Sequence, residues 1–202
     1  DAYHVLAEVL YHWKPTLGES ALRSRAMWER TLALRATDEG DIGALIHLAR
    51  IAAAEGDTKA LRRLTGRILD DGLPADDPIA LEARALAVFG LGSDGGRRDI
   101  MAELSGATPS TIAGIAKSVA VFVQDLEAAA ALVDFLTGSS GDRATVANHT
   151  VMQAQIDAAR GDIRAATTRL RTGALPADRA AELHAAFALA PPAAVADEEI
   201  AS

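Results

Sequence analysis

Three side chains near the start of the chain have the types and the spacing of metal ligands. His4, Glu8 and His12 follow one another at intervals of four residues, which on a helix places them on one face. Imidazole nitrogens and carboxylate oxygens are ligands that Zn²⁺ accepts. On a helix, however, the first and last of them are about 12 Å apart along the axis, too far to share an ion without ligands from elsewhere. We therefore interpret the three as a polar stripe facing solvent or a groove, and predict neither a metal site nor a cofactor.

A glycine-rich segment matches the spacing of a dinucleotide-binding loop. Residues 90–95 read Gly-Leu-Gly-Ser-Asp-Gly. That chemistry requires a strand before the loop, a helix after it and an acid about 20 residues later to bind a ribose. Residues 81–89 instead have a helical pattern, and residues 110–116 contain no acid. We interpret the segment as a turn between two helices.

Serine and histidine side chains are available for nucleophilic catalysis, but no pattern links them. Ser139 and Ser140 lie near His149 and His184 only in sequence. An active site needs several titratable groups that converge in space, and the sequence gives no sign of such a cluster. We therefore predict that the chain is not an enzyme.

Tyr3, Leu6, Leu10 and Trp13 recur at helical spacing and form one apolar stripe on the first helix. Both tyrosines and both tryptophans of the chain lie within its first 28 residues. We interpret this concentration as packing between the first two helices. The alternative is that this end docks against a preceding domain.

The composition excludes several classes of protein. The net charge is −8, and no basic face of the kind that binds nucleic acid is evident. The chain has no cysteine, so it forms no disulfide or thiolate metal site. No apolar run reaches the ~18–20 residues that cross a bilayer, and no signal segment opens the chain. We expect a cytoplasmic protein that does not insert into a membrane.

A short pattern that ends one apolar run and opens the next recurs along the chain. It is a small or polar residue followed by an acid, at Gly18-Glu19, Gly56-Asp57, Ser93-Asp94, Gln124-Asp125 and Gly161-Asp162. The acids are 38, 37, 31 and 37 residues apart. A period of about 31–38 residues is typical of stacked helical hairpins, in which each repeat buries its apolar face against its neighbours.

These breaks divide the chain into five pairs of helices and a final helix. About 45 alanines favour helix throughout, and Asp41, Asp57 and Pro78 are predicted to begin helices. The residue four positions before the acid is small in several units, as at Gly90, which allows close helix crossing. We predict helices over 2–13, 21–34, 42–54, 58–69, 79–89, 97–104, 109–123, 126–136, 144–159, 163–171 and 177–190.

One of these helices resembles the second helix of a tetratricopeptide repeat. That family has a small residue there, an aromatic four positions later, then Ala-Leu-x-Leu and a proline. Ser24, Trp28 and the run 31–34 follow this order, with Thr31 in place of alanine and Ala36 in place of proline. The later units keep the small and leucine positions but lose the aromatics.

The resemblance covers about residues 2–172, and residues 6–57 also look like helical-repeat regions of bacterial signalling proteins. It implies that the first helices of the hairpins line a concave groove that receives a peptide or helix of another protein. Some members of the family clamp a peptide carboxylate with Asn, Lys and Arg side chains. This chain has a single asparagine, Asn148, and three lysines, so we do not expect that mode.

Together these features predict an all-α, right-handed solenoid of about five tetratricopeptide-like hairpins with a C-terminal capping helix. Residues 1–190 form one domain and residues 191–202 a flexible acidic tail. The expected function is a non-catalytic protein–protein interaction or scaffold module of a larger bacterial signalling or assembly protein. The high ratio of arginine to lysine in the chain is typical of proteins encoded by GC-rich bacterial genomes. Alternatives are a structural subunit packed permanently in a complex, or a sensor of a small ligand or peptide.

Four residues on the first helices are candidates for contacts in the groove. Tyr11 and His12 belong to the first hairpin, and His47 and Arg50 belong to the second. Because first helices line the groove in the resembled family, we expect these side chains to face a protein or peptide partner.

Overall fold

The structure, a computed structural model, describes residues 2–14, 20–34, 41–92, 94–139, 143–173 and 175. These residues form ten α-helices and no β-strand, which confirms the all-α class. The helices are α1 (Ala2–Glu8), α2 (Arg25–Leu34), α3 (Ile42–Ala54), α4 (Thr58–Asp70), α5 (Pro78–Leu91), α6 (Asp94–Glu103), α7 (Pro109–Ser118), α8 (Leu126–Ser139), α9 (Arg143–Ala159) and α10 (Ile163–Thr172).

Four short segments of other helical type adjoin these helices. π-helical turns continue α1 over Val9–Trp13 and α7 over Val119–Val123. A 3₁₀ turn precedes α2 over Ala21–Ser24, and another follows α6 over Leu104–Gly106. With them, ten of the predicted helices are present with ends shifted by a few residues. The predicted helix over 177–190 and the tail over 191–202 lie outside the described residues.

The recurring break between helices has one backbone geometry at three places. Gly56, Gln124 and Gly161 all have a positive φ, of 68°, 61° and 86°. The acid that follows each of them accepts a hydrogen bond from the backbone N–H three residues later, at 2.9 Å, 2.9 Å and 2.8 Å. A left-handed residue followed by an N-cap acid reverses the chain in two residues. At these three places the sequence pattern is therefore a repeated turn, while Gly18-Glu19 and Ser93 lie outside the described residues.

The first helices of the hairpins begin with caps of the same kind. The side chains of Asp41 and Asp77 accept backbone N–H bonds at 3.1 Å and 2.8 Å at the starts of α3 and α5. Thr108 does so at 3.2 Å for α7. Pro78 and Pro109 occupy the first turns of α5 and α7, where a missing N–H carries no penalty. The start of each of these three helices was predicted from the sequence.

Consecutive helices pack against one another over most of the described chain. α3 contacts α4 and α5, and α7 contacts α8, which in turn contacts α9. The first helices of neighbouring hairpins also touch, as α3 does with α5 and α5 with α7. Two main apolar cores result, one among α1–α5 with Trp28 at its centre and one among α5–α9.

The apolar stripe predicted on the first helix is not the buried face of that helix. Tyr3, Leu6 and Trp13 are 39%, 45% and 71% exposed, whereas Ala7 and Tyr11 are buried. The rings of His4 and Tyr11 pack against Trp28, with centroids 5.4 Å and 6.5 Å away. The large indole of Trp28 therefore packs against a face of mixed character, with Ala7 at its centre. The aromatic concentration thus reflects burial between the first two helices for Tyr11 and Trp28, while the exposed ring of Tyr3 contacts α2 through the guanidinium of Arg30, 5.7 Å from its centroid.

The glycine-rich segment is a turn between helices, as predicted. Gly90 lies within α5 and Gly92 ends it with φ of 74°. A Cβ built on Gly90 would lie 2.6 Å from Cδ2 of Leu61 on α4. This glycine therefore allows α4 and α5 to approach closely, while a helix, and not a strand, precedes the loop.

One contact joins parts of the chain that are not neighbours in sequence order. The π-helical end of α7 packs against α3 and α5, and Phe122 in that segment stacks on Tyr11 at 6.0 Å between ring centroids. The π-helical turns that continue α1 and α7 therefore meet each other near α3 and α5.

Candidate functional site

The four residues predicted to face a groove lie together where α1, α3, α5 and α7 converge. The rings of Tyr11 and His47 meet edge to face with centroids 4.4 Å apart, and Nε2 of His12 lies 3.2 Å from Nε2 of His47. Burial raises the pKa of the Tyr11 hydroxyl, and the nearby guanidinium of Arg50 partly opposes that rise. Tyr11 and His47 are buried, whereas His12 is about half exposed. Their role in binding a partner stays a prediction.

His47 is held in one orientation by its surroundings. Its ring stacks on Trp28 with centroids 4.3 Å apart and planes 16° from parallel. Its Nδ1 lies 2.6 Å from the carbonyl oxygen of Gly43, one turn earlier in α3. A carbonyl only accepts hydrogen bonds, so Nδ1 carries the proton. Burial lowers the pKa of His47 to about 4, so its ring is neutral near pH 7 and Nε2 keeps a free lone pair.

An ion pair between Arg50 and Glu82 borders this cluster. Arg50 donates from Nε and Nη2 to the two carboxylate oxygens of Glu82 on α5, at 2.6 Å and 2.7 Å. Ser118 on α7 donates to the same carboxylate at 2.6 Å. Burial alone would lower the pKa of Arg50, but the hydrogen bond and charge of Glu82 outweigh it and raise that pKa. Three helices are therefore joined through one buried carboxylate.

Tyr11 occupies the middle of the cluster. Burial raises its pKa to about 12, against the opposing effect of Arg50. Its hydroxyl is buried without a hydrogen-bond partner of good geometry. The phenol therefore stays neutral and acts here by packing against the rings of His47 and Phe122.

The outer edge of the cluster combines two histidines and a carboxylate. Oε2 of Glu8 lies 3.3 Å from Nε2 of His12, and ligand atoms of Glu8, His12 and His47 all lie within 4.8 Å of one another. His4, which shares the stripe with Glu8 and His12 in the sequence, lies between two carboxylates: its Nε2 is 3.8 Å from Oε1 of Glu8 and its Nδ1 is 3.7 Å from Asp41. The three ligand atoms that lie together therefore come from Glu8, His12 and His47, and not from His4, Glu8 and His12 as the sequence stripe suggested.

Sequence reasoning missed Glu82, Ser118 and Phe122. Glu82 is the single acid of α5, in which Arg84 is the only other charged residue, and an acid on the buried side of a helix needs a partner. That signal was available in the sequence, although it did not identify Arg50. Phe122 gave no signal, because its contact with Tyr11 depends on how α7 crosses the other helices.

A second feature is an apolar groove between α7 and α9, with a volume of about 640 Å³. Small residues of α7 and of its π-helical turn, among them Ala113, Gly114 and Ala120, form one wall, and Met152 and Ile156 of α9 form the other. Lys117 is the only charged residue among the described residues that line it.

Comparison of the chain with protein-family models, with curated proteins and with solved structures finds no match. Among the described residues, none of the helices has the length and apolar character needed to span a bilayer.

Proposed function

We propose that this chain is a non-catalytic protein-interaction module of tetratricopeptide-like class, a right-handed solenoid of five hairpins with a capping helix. In this proposal it serves as a scaffold within a larger bacterial signalling or assembly protein. Two features support it. Helices pack mainly against their neighbours in sequence, as repeats do, and the same capped turn recurs between the two helices of several hairpins.

The observation that carries the proposal is the groove between α7 and α9. Both are first helices of their hairpins, which line the binding surface in the resembled family. The wall of small residues at Ala113, Gly114 and Ala120 lets a partner backbone approach closely. We infer that the occupant is an amphipathic helix with an apolar face, whose acidic residue pairs with Lys117.

Selection of peptides that bind the immobilised chain, from a library of displayed helical peptides, tests this function. Enriched peptides are synthesised with a fluorophore, and their affinity is measured by anisotropy for the parent, Gly114→Tyr and Gly66→Tyr. A Cβ meets nothing within 4 Å at either glycine, so both chains should fold. Gly66 lies on α4, away from the groove, and is the matched control.

We expect Gly114→Tyr to weaken peptide binding at least tenfold, because its ring fills the groove, and Gly66→Tyr to leave binding unchanged. Enriched peptides should share apolar residues at helical spacing and an acid. Enrichment of no peptide, or equal binding by Gly114→Tyr, would count against the groove as an interaction site.

One observation favours the alternative of a subunit packed permanently against another protein. Val5, Leu6, Val9 and Trp13 expose apolar surface together on α1 and its π-helical turn. Contiguous exposed apolar surface marks interfaces. If this face is a permanent interface, the isolated chain should self-associate in sedimentation velocity, and Leu6→Gln should reduce that association. A monodisperse parent would instead favour the interaction module.

A further inference from the structure

We propose that Glu8, His12 and His47 form a binding site for a divalent transition-metal ion, with Zn²⁺ as the best match. Two imidazole nitrogens and one carboxylate oxygen are the ligands with which proteins hold Zn²⁺ while leaving a fourth position open. Each residue presents one such atom, and the three lie within 4.8 Å of one another.

The spacing of the ligand atoms fits a tetrahedral ion. With metal–nitrogen distances of 2.0–2.1 Å, two ligands of a tetrahedral site lie about 3.3 Å apart. The Nε2 atoms of His12 and His47 are 3.2 Å apart, and Nε2 of His12 is 3.3 Å from Oε2 of Glu8. The third separation, between Glu8 and His47, is within 4.8 Å, and rotation of the part-exposed Glu8 side chain would bring its carboxylate to the ion.

His47 is oriented as a metal ligand before any ion binds. Its Nδ1–H donates to the carbonyl of Gly43, and a backbone acceptor on the second nitrogen is the usual way in which proteins fix a ligating imidazole. Stacking on Trp28 holds the plane of the ring. The lone pair of Nε2 therefore points at His12, and two Nε2 atoms at this distance need a proton or a cation between them.

Glu8 and His12 make the site accessible. They lie one turn apart, on α1 and its π-helical continuation, and their side chains are 39% and 49% exposed. An ion can therefore enter from solvent on this side, with water as the fourth ligand. The buried side of the site consists of His47 and the aromatic rings around it.

The charges around the site permit a cation. Arg50 faces His47 from the same helix, but its charge is paired with the carboxylate of Glu82 at 2.6 Å. Glu8 supplies a negative charge to the ion through Oε2, while its Oε1 lies 3.8 Å from Nε2 of His4. The ion therefore meets one carboxylate and two imidazoles without an unpaired positive neighbour.

Calorimetric titration of the metal-stripped chain with ZnCl₂ tests the proposal. The variants are His12→Gln and Glu8→Gln, both at half-exposed positions where folding should be unaffected. His149→Gln is the control, because it removes a histidine that lies 3.4 Å from Asp134 on another pair of helices. Circular dichroism of each variant confirms that it is folded, and a parallel titration uses MgCl₂.

We expect one Zn²⁺ per parent chain and an increase in melting temperature on addition of Zn²⁺. His12→Gln should weaken binding at least tenfold, Glu8→Gln should weaken it less, and His149→Gln should bind as the parent does. Mg²⁺, which prefers oxygen ligands, should give no saturable heat. The proposal is overturned if the parent shows no saturable binding of Zn²⁺, or if His12→Gln and Glu8→Gln bind it as tightly as the parent.

Discussion

Glu82 is a carboxylate in an apolar stretch of α5, and its partners come from two other helices. It is 8% exposed, and it accepts hydrogen bonds from Arg50 on α3 and Ser118 on α7. A buried charge is tolerated only while its partner remains. This residue therefore couples the formation of the core to the correct placement of three helices.

Replacement of Glu82 by alanine should destabilise the chain by about 3–5 kcal/mol, because the Arg50 guanidinium is then left buried without a counter-charge. Glu103→Ala is a matched control, since Glu103 pairs with Arg84 at the same 2.6 Å but is far more exposed. We expect Glu103→Ala to lower the free energy of unfolding by less than about 1 kcal/mol. Urea unfolding followed by circular dichroism measures both. Equal losses for the two variants would show that the buried pair has no special role.

At the scale of the helices, the hairpins depend on the two-residue turn and its capping acid. Asp57 begins α4 by accepting the N–H of Ala60 at 2.9 Å, directly after left-handed Gly56. The backbone N–H of Asp57 also bonds to the carbonyl of Ala52 at 2.9 Å, which ends α3. One residue thus ends one helix and begins the next.

Asp57→Ala should therefore cost about 1 kcal/mol, since an N-terminal N–H of α4 loses its partner. Asp57→Ser should retain most of the stability. The control is Asp70→Ala at the other end of α4, where a negative charge opposes the helix dipole, and we expect no loss there. Thermal unfolding of the three variants gives the comparison. A loss for Asp70→Ala as large as that for Asp57→Ala would contradict the capping role.

At the scale of the whole molecule, two cores are joined through the end of α7. Phe122 and Val123 pack against the core of α1–α5, while Ile112 and Ile115, earlier in α7, belong to the core of α5–α9. Stacking of Phe122 on Tyr11 makes this link specific. A chain of hairpins that met only their neighbours would not have it.

Phe122→Ala should weaken the coupling between the cores as well as stability. Both tryptophans lie in the first 28 residues, so their fluorescence reports the first core, whereas circular dichroism reports all helices. In the parent the two urea transitions should coincide. In Phe122→Ala we expect the fluorescence transition at lower urea. Phe135→Ala, which affects only the second core, is the control in which they should still coincide. Coincident transitions in Phe122→Ala would refute the link.

The sequence alone determined the helical class, most helix ends and the recurring turn. Residues such as Asp57, Asp77 and Pro78 act through hydrogen bonds and backbone angles within a few residues of themselves. Such interactions are local, and a single sequence therefore reveals them. It also brought Tyr11, His12, His47 and Arg50 together as candidates, because their places on first helices follow from the period.

The tertiary structure decided which of these groups meet, and on which face. The buried side of α1 carries Ala7 and Tyr11, not the stripe of Leu6 and Trp13, because the position of Trp28 on α2 sets how α1 rotates. In the same way, His47 joins Glu8 and His12 in one group of ligand atoms, whereas His4 lies between Glu8 and Asp41. The distance between side chains 35 residues apart depends on how helices cross, and helix periodicity carries no information about crossing.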